Sequence, residues 1–77
     1  MANELRYKVE TLRAIDQEWC LVSRNKYLEA AMKVMETEES YGFTVRVIDT
    51  LTGKDEYNTL TNEFRKFQRQ LRIAIAV

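Results

Sequence analysis

The sequence predicts an α+β domain, an antiparallel four-stranded sheet with two helices in the order ββαββα, occupying residues 1–77 as a single unit. Two patterns lead to this. Four short runs alternate apolar with polar residues or are apolar and strand-like in composition, and two longer runs place apolar residues three and four apart. Glycine stands only at positions 42 and 53, each where one run gives way to another, and proline is absent.

The first strand is expected from Leu5 to Leu12. Leu5, Tyr7, Val9 and Thr11 alternate with Arg6, Lys8 and Glu10. A helical stripe through Leu5, Val9, Leu12, Ile15 and Trp19 competes. The strict alternation and the content of Tyr, Val and Thr decide for a strand. "AIDQE" reads as a loop with Asp16 as turn former, and "EWCLVS", Glu18 to Ser23, as a strand pairing back.

"NKYLEAAMKVMETEE" is the clearest helix. Leu28, Ala31, Met32 and Met35 form its stripe, and Tyr27 and Val34 widen it. Ser23 or Asn25 is expected to cap it, Glu29 and Lys33 lie four apart on its wet face, and Gly42 ends it. Phe43, Val45 and Val47 then alternate with Thr44 and Arg46. Gly53 suits the last position of a three- to five-residue hairpin loop, and "KDEYNTL" returns with Tyr57 and Thr59 on one face. In "TNEFRKFQRQLRIAIAV" a helix is expected from about 61 to 72, capped by Thr61 or Asn62, with Phe64, Phe67, Leu71 and Ile75 as its stripe. Residues 71–77 fit either more helix or a short fifth strand, because Leu71, Ile73, Ile75 and Val77 also alternate. Both helices are expected to shield one face of the sheet.

Composition narrows the function. The chain has zero net charge, which disfavours a general nucleic-acid binder. Without histidine there is no Ser-His or Cys-His nucleophile and no His metal site. Lone Cys20 holds neither zinc nor an internal disulfide and reads as a small strand residue. Neither glycine belongs to a phosphate-binding loop. The expectation is a non-enzyme without cofactor or metal. "MANELRYKVE" is charged from its fourth residue, unlike a signal peptide, and no apolar run approaches the ~18 residues of a membrane helix. A soluble cytoplasmic protein with no membrane partner is therefore expected.

Two charge clusters remain as candidate contacts. Glu36, Glu38 and Glu39 end the first helix, where the helix dipole disfavours acids, and Asp49, Asp55 and Glu56 lie nearby in sequence. These carboxylates are of a kind that ligates hard cations or works as an acid–base pair, but a solvated acidic surface is the plainer expectation. Arg65, Arg69 and Arg72, with Lys66 near them, form a basic stripe on the last helix. Against the single acid Glu63 they give the segment from residue 62 onward +3 and leave −3 on the remainder. Such a stripe suits phosphates or an acidic protein surface, although a solvated helix face looks the same in sequence. Phe64 and Phe67 are expected in the core, as is Trp19, although Trp19, Tyr7, Tyr41 or Tyr57 would serve as interface anchors on a bare sheet face.

The opening strand "RYKVETL", the helix "LEAAMKVMETEE" and the hairpin "YGFTVRVIDTLTGK" give a rhythm that resembles small phage-encoded anti-defence proteins, including some anti-CRISPR proteins. The likeness is one of layout, and no functional motif of that group carries over residue by residue. It implies a non-enzymatic inhibitor that docks on a host protein or protein–nucleic-acid complex in the host cytoplasm and occupies its working surface. Direct nucleic-acid binding by the basic last helix is the second expectation. A homodimer or homo-oligomeric accessory subunit, pairing through a strand edge or the sheet's bare face, is the third.

Overall fold

The computed structural model describes residues 5–76, with side chains described from 5 to 70. It has strands β1 (Tyr7–Arg13) and β2 (Glu18–Asn25), helix α1 (Leu28–Ser40), strands β3 (Val45–Asp49) and β4 (Lys54–Asn58), and helix α2 (Thr59–Ala76). The strands form one antiparallel sheet in the order β2-β1-β3-β4. The predicted ββαββα order and α+β class are observed.

The hairpins follow from local chemistry. The β3–β4 loop has Gly53 at φ +77°, and its N–H donates to the Asp49 carbonyl at 2.7 Å. The β1–β2 loop has Gln17 at φ +57°, while Asp16 accepts from the Glu18 N–H at 3.2 Å and pairs with Arg13. Each outer strand carries one extra residue. Val22 falls in the register shift of β2 and Glu56 in that of β4, leaving both sheet edges irregular. Gly42, at φ +91°, closes α1: its N–H donates to the Glu39 carbonyl at 2.9 Å and the Phe43 N–H to that of Glu38 at 3.3 Å, the paired bonds of a Schellman ending. The start of α1 differs from expectation. β2 continues through Asn25, whose side chain donates to Ser23 instead, and the cap position falls to Tyr27 with no side-chain bond.

The core lies between α1 and one face of the sheet. Val9, Val45 and Val47 point up from the two central strands and Ala31 and Met35 point down, with Tyr7, Leu28, Met32, Val34 and Tyr57 packed around them. Tyr27, expected to widen the helical stripe, is 64% exposed.

α2 corrects the expectation that both helices cover the sheet. Among the described residues, none of α2 belongs to the core, and Phe64 and Phe67 are 59% and 60% exposed. The helix rests mainly on β4, with Thr59 in its first turn bonded to Val45 of β3 and Glu39 of α1, and then leaves the body. The radius of gyration is 14.6 Å, against about 11.5 Å for a compact chain of this length. The period-3.6 stripe was real, but nothing local in it says whether the rest of the chain has a free surface to offer. α1 already occupies the one apolar sheet face. The backbone is helical through Ala76, so residues 71–76 are not a fifth strand, and Val77 lies outside the described residues.

Candidate interaction surface

The root of α2 is fixed by a buried polar junction. Asn58 Oδ1 accepts from the Leu60 N–H at 2.9 Å and so caps the helix one turn earlier than Thr61 or Asn62 would. Thr59, only 6% exposed, receives the Val45 N–H on its hydroxyl at 2.9 Å and donates to Glu39 Oε2 at 2.7 Å. The Tyr57 hydroxyl donates to the same carboxylate oxygen at 2.5 Å and accepts from Asn62 Nδ2 at 3.4 Å. Burial, reinforced by this bond to Glu39, pushes the Tyr57 hydroxyl up to about 12. Glu39 is therefore the link between the end of α1 and the start of α2, and not part of a solvated acidic patch. Of its neighbours, Glu36 is exposed and Glu38 half-buried.

Beyond this junction every described residue of α2 from Glu63 to Gln70 is exposed. The helix presents two faces. Arg65, Lys66 and Arg69 lie on one, and among the described residues no carboxylate comes within ion-pair reach of them. Leu60, Phe64 and Phe67 lie on the other. Arg72 belongs to the basic stripe by sequence, and its side chain lies outside the described residues. Arg65 also lines an open cleft of about 370 Å³ between β4 and α2, together with Lys54, Asp55, Glu56 and Asn58. The cleft has both signs of charge, and among the described residues no group of three or more His, Cys, Asp or Glu is placed to hold a metal.

Asp49 departs from the expected acidic surface. It is 2% exposed, and Arg6 grips it with Nε–Oδ1 at 2.8 Å and Nη2–Oδ2 at 2.6 Å, while the Leu51 N–H donates to Oδ1 at 3.0 Å. The Arg6 guanidinium holds this carboxyl well below the usual range.

The sheet face away from α1 carries a group that sequence reasoning missed. Glu10 and Arg46 are direct cross-strand partners, joined at 2.9 Å, with Lys8 4.0 Å from the same carboxylate. Arg46 also lies over the Trp19 ring, 4.2 Å from its centre. Trp19 is thus a half-buried residue of the uncovered face and not a core residue. The signal was present, since Lys8, Glu10 and Arg46 all sit at the polar positions of alternating strands. What was missing was the pairing of β1 with β3, which lie more than thirty residues apart. Cys20 is half-buried on β2, and no helix among the described residues is long and apolar enough to cross a membrane.

Compared with protein-family models, curated proteins and solved structures, the chain matches none.

Proposed function

We propose that the protein is a non-enzymatic binding protein that docks on a macromolecular partner in the cytoplasm and blocks or sequesters it, with the basic face of α2 as its contact. The observation that carries this reading is a contrast among its arginines. On the body, Arg6, Arg13 and Arg46 each hold a carboxylate, and Arg24 is the one described arginine there that does not. Arg65 and Arg69 stand on a helix that projects from the body, with no partner among the described residues. A rigid helix holding unneutralised guanidinium groups in a row is suited to an acidic protein surface or a run of phosphates. The layout likeness to phage-encoded inhibitors points to a host defence complex as the partner class. Glu36 and Glu38, on the other side of the junction from this stripe in sequence, are the secondary candidates.

The test uses the tagged chain and an Arg65→Glu/Arg69→Glu variant as parallel baits, with bound proteins identified by mass spectrometry and their affinities then measured. The reading expects a partner bound at least tenfold more weakly by the variant, with the circular dichroism spectrum unchanged. Equal affinity for both baits would remove the basic face from the account.

Direct nucleic-acid binding is the second reading, favoured by the same exposed arginines and disfavoured by the zero net charge. It expects an affinity for a single- or double-stranded oligonucleotide that falls with salt at a slope of about −0.9 per phosphate neutralised on duplex DNA. No complex at low salt disposes of it.

A further inference from the structure

The apolar face of α2 has no cover within the described chain. We infer that a second copy of this chain covers it, through a helix-to-helix seam between the two α2 segments. This inference uses the face opposite the one proposed for partner binding and stands or falls independently of that reading.

Spacing is the first argument. With the helix starting at Thr59, Leu60, Phe64, Phe67, Leu71 and Ala74 stand at intervals of four, three, four and three, while Ile75 falls beside that line and Ile73 and Ala76 off it. That is the heptad alternation by which one helix meets another along a narrow seam. A helix packed on a sheet asks for a wider apolar arc, and α1 already fills that role here.

Charge is the second. At about 100° per residue, the basic group Arg65, Lys66, Arg69 and Arg72 centres roughly 170° from the seam. The positions flanking the seam over the described side chains are Thr61, Glu63, Gln68 and Gln70. In a two-fold pair the same surface serves both sides, so like charges on the flanks would meet across it. Three of these four flanks are neutral, and among the described side chains the basic residues Arg65, Lys66 and Arg69 lie on the other side of the helix. A helix lying in a bilayer surface benefits from basic residues beside the apolar sector, where their stems reach the headgroups. Neutral side chains and one acid occupy those places instead. A paired α2 would also display two basic faces pointing in opposite directions.

Sedimentation equilibrium on the full chain tests this at concentrations from about ten to a few hundred micromolar, the range over which mass action moves a modest dimer. The expected result is a mass rising from 9.1 kDa toward twice that value. A Phe64→Gln/Phe67→Gln variant is expected to stay at the monomer mass throughout. A Gln68→Glu/Gln70→Glu variant, which keeps every apolar group, is expected to dissociate at low salt and re-associate as salt is raised. A wild-type chain that remains monomeric at the highest concentration overturns the inference. So does a dimer that survives both variants, which would place the interface elsewhere. A monomer that co-floats with phosphatidylglycerol vesicles, and loses this with the phenylalanines, would assign the stripe to a lipid surface and overturn it as well.

Discussion

Asp49 and Tyr57 are the two side chains whose ionisation is most tightly bound to the fold, and they act at opposite ends of the pH scale. Asp49 is held below the usual carboxylate range by Arg6, so its contribution is fully present above about pH 4, the unfolded value. It is lost as the pH falls further toward the folded value. Urea unfolding at pH 7 and at pH 3 should show the wild type losing stability on acidification, and Asp49→Asn, already weaker at pH 7, losing much less. Tyr57 is raised to about 12 by burial and by Glu39. Its contribution is fully present below about pH 10 and declines as the pH rises from 10 through 12. A Tyr57→Phe chain should lack that alkaline decline when melts are compared between pH 9 and pH 12. Glu39 sits behind this second effect as the acceptor for both Tyr57 and Thr59. Glu39→Ala removes the acceptor of the Tyr57 hydroxyl, leaves the Thr59 hydroxyl only the Val45 carbonyl at 3.1 Å, and should cost about 1–3 kcal/mol by urea titration. None of these roles was legible in sequence. Asp49 and Glu39 read as members of an acidic surface because their partners lie 43 residues away for Asp49, and 18 and 20 residues away for Glu39.

At the scale of elements, the features set by a few neighbouring residues were legible. Gly53 has the positive φ that the β3–β4 loop was expected to need, and Gly42 has the one that ends α1. A Cβ at Gly53 would meet nothing within 4 Å, so Gly53→Ala isolates the backbone term and should cost about 1–2 kcal/mol. Helix starts were less legible, because a strand and a helix compete for the same polar residues. β2 ran on through Asn25 and removed the expected cap of α1, whereas β4 stopped at Asn58, which became the cap of α2. Asn58→Ala should cost about 1 kcal/mol. Because this cap lies at the root of α2, helical signal in circular dichroism should fall with it while the sheet persists. The amphipathic pattern of residues 60–75 was visible too, but its consequence was not. Periodicity says that a helix has an apolar face, and only the completed fold says whether the body has anywhere to receive it.

For the whole molecule, the consequence is a division of labour. The sheet and α1 form a small body around Val9, Ala31, Met35, Val45 and Val47. The first turn of α2 is tied to that body through Asn58, Thr59 and Glu39, and the rest stands off it with a basic and an apolar face. A chain this short has little core to spare, so committing a long helix to the exterior is costly unless something binds it. The composition lacks histidine and has a single cysteine, but partner choice is a property of the exposed faces, and those became visible only when α2 was seen to lie off the sheet. The most direct measurement of this division is the unfolding free energy of the chain ended after Asn62, set beside that of the full chain by urea titration at low micromolar concentration. With Phe64 and Phe67 outside the core, the two values should agree within about 0.5 kcal/mol. A loss of about 3 kcal/mol or more, the cost of removing core phenylalanines, would show that α2 belongs to the body and contradict the account.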